Sequence, residues 1–329
     1  MKYFIAFICL HITLIPLASE KGISIPEVTL ISSEKSEQLA SNKSKFIFKI
    51  IGITEEQNNQ LITYSIDGKS RSVILNDDSQ FSLISSPGVH NFQFFCNDFY
   101  FEIYADSLVI KSQYISLYEI RFESSEFPIT VDKPVVYLYP ELKTSFSVNV
   151  KPKGKMVFTY PTYNDTWKGT AFPNGDIKIG LETFNYLFWE SEQLIKTEII
   201  NPKKGSVVRS AESTSFLEEQ LNLFGFNSKE KADFITYWGP KLMQHEFNYI
   251  YFVLNNDANY FAELTITPQP DNVYRFYILT CPVVNPSDYY YLEPQLIEPA
   301  FRKGFTVLEW GGSVIDIHLL KKNCRFYEI

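Results

Sequence analysis

The sequence predicts an α+β protein in two parts: an N-terminal Ig-like β-sandwich, then a β-rich domain in which a helical hairpin covers an antiparallel sheet. Three observations predict it. Residues 45 to 123 carry short apolar runs separated by turn chemistry such as Asp67-Gly68 and Asn76-Asp77-Asp78, a spacing that suits a sandwich. Residues 133 to 329 combine strand runs with two adjacent amphipathic segments and hold all four tryptophans. Between the two lies Lys133-Pro-Val-Val-Tyr-Leu-Tyr-Pro-Glu141, where Pro134 and Pro140 bracket a Val/Tyr/Leu strand, because proline lacks a donor and drives its predecessor towards extended backbone.

At 329 residues the chain is long enough to pack a core in each of two domains. Its net charge of -8 argues against a nucleic-acid partner, which needs a basic face. Met1-Lys2, the apolar run Tyr3 to Leu17, and Ala18-Ser19 before Glu20-Lys21 form the three regions of a secretory signal peptide, residues 1–19. The run is too short for a membrane span, so the expected mature protein is soluble and exported, to the cell envelope or beyond. Of the cysteines, Cys96, Cys281 and Cys324 follow the cleavage point; a Cys281 to Cys324 bridge is one open pairing that spacing does not decide.

Residues 20–44, rich in Ser, Glu and Lys, read as an exposed lead-in. Strand runs follow at Phe46 to Ile51, Leu61 to Ile66, Arg71 to Leu75 and Phe81 to Ile84. Phe92, Phe94 and Cys96 alternate up to Asn97-Asp98, and Phe99, Phe101 and Ile103 alternate down from it, which predicts a two-residue hairpin with all six on one face and Cys96 as a buried, inert thiol. Further strands over Ser107 to Ile110 and Tyr118 to Phe122 complete the sandwich, and residues 124–132 read as a linker. Beyond it, runs at Ser145 to Val150, Lys155 to Tyr160, Trp167 to Phe172, Asp176 to Ile179 and Tyr186 to Glu190 read as a meander. Two helices are expected next. One starts at Ser213, buries Phe216, Leu217, Leu221 and Phe224 and stops at Gly225; the second runs from Ser228 to Gly239-Pro240. Strands return at Phe247 to Leu254, Ala262 to Thr267 and Tyr274 to Thr280, then a Pro/Tyr-rich loop over Pro282 to Pro299, then Phe305 to Trp310 turning at Gly311-Gly312 into a last strand over Val314 to Leu320.

Six motifs in order resemble a family of mostly bacterial proteins recognised by a "KPVIYLYP" opening: Lys133 to Pro140, Thr159 to Tyr163 with Trp167, Tyr186 to Glu190, Phe216 to Glu219, Phe234 to Pro240, and Gly304 to Gly312. The resemblance covers residues 132 to 313. It implies a shared domain and no activity. Thr166 departs from the glycine that the family places before the tryptophan, and His245 departs from another polar residue.

Two constellations carry candidate chemistry. Glu190 and Glu309 each end a strand run, on the face of Tyr186 and Phe188 in one case and of Phe305 and Val307 in the other. On neighbouring strands they would form the acid/base pair of a glycoside hydrolase; otherwise each marks a strand's exit to solvent or a local ion pair. Tyr137, Tyr139, Tyr160, Tyr163, Trp167, Trp189, Trp238 and Trp310 are either an exposed platform for sugar rings or peptide side chains, or the core of a small β-rich domain. His11, His90, His245 and His318 are scattered without a second ligand at helical or hairpin spacing, so no metal or cofactor is expected. The leading expectation is a non-enzymatic binding or envelope-surface module whose partner is a glycan or a surface protein. The alternative is a carbohydrate-active hydrolase using Glu190 and Glu309.

Overall fold

The computed structural model describes residues 27–53 and 61–316, so the signal-peptide region, His318, Cys324 and most of the strand expected over 314–320 lie outside it. The chain divides into two compact units, Met1–Glu123 and Ser124–Ile329.

The first unit is built from β1 (Glu27–Lys35), β2 (Ser44–Ile51), β3 (Leu61–Ile66), β4 (Lys69–Ile74), β5 (Gln80–Ser85), β6 (Gly88–Phe95), β7 (Ile103–Ile110) and β8 (Tyr114–Arg121). They form two sheets, ordered β1-β8-β2-β5 and β4-β3-β6-β7. Alternation along β2 sends Phe46, Phe48 and Ile50 inward, where Phe48 meets Phe92 and Phe94 at ring separations of 5.0 Å. Two expectations are corrected here. The lead-in contains strand β1, which pairs with β8 from Glu27↔Arg121 to Lys35↔Tyr114; it is a sheet edge, and polar composition is what an edge strand needs. The hairpin loop runs from Cys96 to Glu102, since Phe94 pairs with Ile103. Asn97 does start a turn, but its Oδ1 accepts the Phe99 N–H (2.9 Å) and its carbonyl the Tyr100 N–H (3.1 Å), which leaves Phe99 exposed. Cys96 is buried, and burial pushes its thiol up to about 11.

The second unit contains β9 (Glu126–Tyr139), β10 (Thr144–Pro152), β11 (Lys155–Tyr160), β12 (Trp167–Ala171), β13 (Ile177–Ile179), β14 (Glu182–Phe184), β15 (Leu187–Lys196) and β16 (Ser206–Arg209). Then come α1 (Ser213–Phe224), α2 (Ser228–Leu242), β17 (Phe247–Leu254), β18 (Ala262–Thr267), β19 (Asn272–Val283) and β20 (Thr306–Val314). A seven-stranded sheet has the order β11-β15-β9-β20-β19-β17-β16, and a five-stranded one the order β14-β13-β12-β10-β18. Neighbours in the larger sheet are antiparallel except β19 and β20. The helical hairpin covers one face of that sheet, where Leu217, Leu221, Phe234 and Trp238 pack on Val135, Tyr137, Phe276 and Trp310. Gly225 ends α1 in the left-handed conformation (φ 95°), and Asn227 with Glu230 forms a capping box at the start of α2.

The supposed meander is two sheets interleaved. Strands β10, β12, β13 and β14 belong to the smaller sheet, whereas β11 and β15 belong to the larger. The switch from β10 to β11 passes through Gly154, whose missing side chain would stand 2.2 Å from the Glu192 carbonyl. The linker is also strand: β9 runs unbroken from Glu126 through Pro128 and Pro134 to Tyr139. Register explains how it tolerates Pro134. Against both β15 and β20, β9 holds one extra residue between Val131 and Val135, a bulge in which ladder bonds are interrupted and a missing N–H costs nothing. Helix α2 likewise outruns Gly239-Pro240 and ends at Leu242, because Leu242 is buried in the helix-covered core.

Candidate functional site

The expected acid/base pair does not exist as a pair. Strand alternation puts Leu308 and Trp310 on the helix-covered face, so Glu309 points to the other side of the sheet. There Glu309 is fully buried; it accepts a hydrogen bond from Trp189 Nε1 (3.0 Å) and from Arg275 Nε, and Arg275 is itself 3% exposed. The Arg275 guanidinium is further held by Asn259 Oδ1 and the Ala262 carbonyl, each at 2.9 Å. Glu309 is therefore half of a buried ion pair. Glu190 shares parity with Phe188, which packs on the helix-covered core, and the charges of Asp132 and Lys241 act on its carboxyl. The two carboxylates thus project from opposite faces of one sheet, an arrangement unsuited to either glycosidase geometry.

The aromatic constellation resolves mostly into core. Tyr137, Trp167, Trp189, Trp238 and Trp310 are all at most 1% exposed. The Tyr137 hydroxyl donates to Asp233 Oδ2 (2.8 Å), and Trp167 Nε1 donates to the Pro161 carbonyl (2.9 Å). Tyr163 is half-buried against Trp167 (4.5 Å), and its hydroxyl clamps the Val150 N–H and carbonyl at 3.0 and 3.1 Å. Tyr139 stacks on Tyr137 and lies beneath the Arg302 guanidinium. Tyr160 alone among them is mostly exposed, at 56%. A stacking platform needs open ring faces, and these rings are spent on packing.

What the structure assembles instead lies at the β9 bulge. Lys133 has φ 49°, a left-handed conformation costing on the order of 1–3 kcal/mol in a residue with a side chain. On the neighbouring residue, Asp132 Oδ2 lies 3.1 Å from Lys241 Nζ, their side chains 19% and 31% exposed. The Lys241 ammonium sits 4.9 Å from the Tyr237 ring centroid and 5.6 Å from that of Trp238, while the Lys133 ammonium approaches Tyr237 at 5.2 Å. Burial pushes the Glu190 carboxyl above the usual carboxylate range, with the Lys133 N–H pulling it back and the Asp132 charge adding to the rise. Burial, followed by the charges of Asp132 and Glu190, holds the Tyr237 phenol strongly protonated.

This cluster closes one end of a cleft of about 1090 Å³. Its walls include Ile129 and Asp132 of β9, Glu192 and Leu194 of β15, Lys241 of α2 and Val314 of β20. The cleft exists because the sheet splits: β20 pairs with β9 from Tyr139 only as far as Asp132, and N-terminal to the bulge β9 continues on β15. Residues 128–131 have ladder partners on the β15 side alone among the described residues. Of this cluster, the sequence points to Glu190 as a candidate carboxylate and to Lys133 only as the start of a strand motif. Asp132 falls in the expected linker, and the expected helix end at Gly239-Pro240 separates Lys241 from its i−4 neighbour Tyr237. The i, i+4 spacing of Tyr237 and Lys241 was the signal available.

No family model matches the chain. A stretch of 63 residues, 18% of this chain, is 43% identical to an uncharacterized protein in the bglA 3' region of Butyrivibrio fibrisolvens, and the match spans 66% of that relative. Among solved structures, a DUF3823 family protein from Bacteroides ovatus matches at 11% identity and a TM-score of 0.20, over 47% of this chain and 98% of that one. A proposed carbohydrate binding protein from Bacteroides uniformis matches at 10% identity and a TM-score of 0.20, over 46% and 98%. Similarity at that level carries no argument about function. Among the described residues no helix is long and apolar enough to cross a membrane, and no group of three or more His, Cys, Asp and Glu side chains is placed to hold a metal ion.

Proposed function

We propose that the protein is an exported, non-enzymatic binding module of the "KPVIYLYP" family, and that an extended segment of a surface polypeptide occupies the cleft where its main sheet splits. The split carries this reading: an unladdered stretch of strand offers main-chain donors and acceptors to an added chain, which is how sheet edges recognise extended peptides. The lining supports it. Exposed Leu194 (57%) and Val314 (48%) give apolar footholds, and Asp132, Glu192 and Lys241 give charges of both signs. Among the described residues none that lines the cleft is aromatic, which disfavours a sugar.

The test is capture by the immobilised full-length chain from a displayed random-peptide library and from a glycan array. Extended peptides should be retained, and the single substitutions Leu194→Arg and Val314→Arg, both at exposed positions, should each weaken retention at least tenfold. Retention of glycans alone would refute the polypeptide assignment, and retention indifferent to both substitutions would refute the cleft.

A further inference from the structure

The charges around the cleft are unevenly spent, and the remainder selects the occupant. We infer that the cleft takes peptides with two basic side chains four residues apart and an apolar one midway between them, an inference that rests on its occupant being an extended polypeptide. Asp132, Glu126, Glu192, Lys153 and Lys241 are the charged residues that line it. Asp132 and Lys241 satisfy each other at 3.1 Å, and Lys153 is held by Glu263 at 2.6 Å. Glu126 and Glu192 are left. Their ladder partners are Lys196 and Lys155, yet neither carboxylate has an ion-pair partner among the described residues. Two unpaired carboxylates beside an open backbone edge complement cations carried on an added strand.

Strand parity places those cations. Thr130, Pro128 and Glu126 stand opposite Glu192, Leu194 and Lys196, and ladder partners share a face. That face is the outer one, since the intervening Phe127, Ile129 and Val131 are at most 7% exposed. A strand added along the open side of β9 therefore turns every second side chain outward, the first beside Glu126, the next beside Pro128 and the third beside Thr130. The first meets the Glu126 carboxylate directly. The third reaches Glu192 across Thr130, two strand spacings or about 10 Å away, which a long flexible lysine and a glutamate span between them. The middle one lies by Pro128 and the 57%-exposed Leu194, where an apolar side chain gains burial. On the inner face Gln193, the ladder partner of Ile129, lines the cleft; it is 6% exposed and its Nε2 has no hydrogen-bond partner among the described residues, so the inward side chains of the occupant should carry an oxygen, as threonine does.

The experiment is fluorescence anisotropy of labelled pentapeptides titrated with the full-length chain at low ionic strength. Lys-Thr-Val-Thr-Lys should bind about tenfold tighter than Gln-Thr-Val-Thr-Gln, and Glu-Thr-Val-Thr-Glu more weakly than either. Thr-Lys-Val-Lys-Thr carries the same charge on the wrong face and should bind no better than the glutamine peptide. Glu126→Gln and Glu192→Gln should each cost the lysine peptide about threefold and leave the glutamine peptide unchanged. Equal binding of the lysine peptide and its wrong-face isomer overturns the inference, because bulk charge would then explain it, and so does a lysine preference that survives both substitutions. The glutamine peptide reads the cleft alone. Its weakening by Leu194→Arg, with no lysine preference in the wild type, refutes this inference and keeps the polypeptide cleft; its indifference to Leu194→Arg refutes the cleft itself.

Discussion

Replacing Glu309 by leucine is the perturbation that most sharply separates a structural carboxylate from a catalytic one. The substitution removes both acceptors offered to Arg275 and Trp189 in a place where neither donor reaches water, since all three side chains are at most 4% exposed. Stranding a buried guanidinium costs about 3–5 kcal/mol. Leaving the indole N–H unpaired costs about 1–3 kcal/mol, and because the two donors share one acceptor group the sum is about 4–6 kcal/mol rather than a strict total. For a unit of this size that is a fall in Tm of about 10–20 °C. The assay is chemical and thermal unfolding followed by tryptophan fluorescence, which reports the second unit selectively because Trp167, Trp189, Trp238 and Trp310 all lie there. A second substitution, Arg275→Met on top of Glu309→Leu, should recover more than half of the loss, since an apolar pair satisfies the same space without charge. A loss under about 1 kcal/mol in the single variant, or no recovery in the double, would refute the buried-pair assignment.

Other consequences are open to equally direct measurement. Gly312→Ala places a methyl 2.2 Å from the Ile278 carbonyl and 2.6 Å from the Trp238 ring, and it should cost about 2–3 kcal/mol in the same fluorescence-detected unfolding. The Glu190 carboxyl is raised in the folded chain above its ordinary 4.5, so the native state holds its proton more tightly than the unfolded state does; the stability this gives is present below pH 4.5 and is lost as pH rises through the folded value. Glu190→Gln should therefore flatten a decline in unfolding midpoint across that window, and an unchanged slope would count against the buried placement. Cys96, pushed to about 11, and Cys281, raised further by deeper burial, should both be silent to a thiol reagent at pH 8 in the native chain and react only on unfolding.

The parts of this fold that a sequence reader could reach are those written in short-range pattern. The alternation of Phe46 and Phe48, the Gly225 helix stop and the paired helices over a sheet rest on two- and four-residue periodicity or on one residue's backbone freedom. The parts that escaped depend on what lies across a strand. Nothing local distinguishes a polar lead-in from an edge strand, and nothing in Lys133-Pro134 says that both neighbours will skip a residue there. The same limit governed the site. Parity within each strand correctly grouped Glu190 with Phe188 and Glu309 with Val307, but which face of the shared sheet each parity met was fixed by pairing through β9, over sequence distances that no local pattern spans. Aromatic residues were ambiguous for a different reason: the side chains that make good platforms also make good cores, and only burial tells them apart.

Strand β9 begins at Glu126, two residues after the second unit does, and runs straight into the middle of the seven-stranded sheet. Tension arriving along the chain at Ser124 would thus be carried lengthwise by a strand bonded first to β15 alone and, past the bulge, to β20 as well, and to yield it must slide past β15 with the rungs from Lys196↔Glu126 to Ser191↔Val131 loaded together rather than opened one by one. The second unit is therefore wired as a part that resists being pulled from its amino-terminal side.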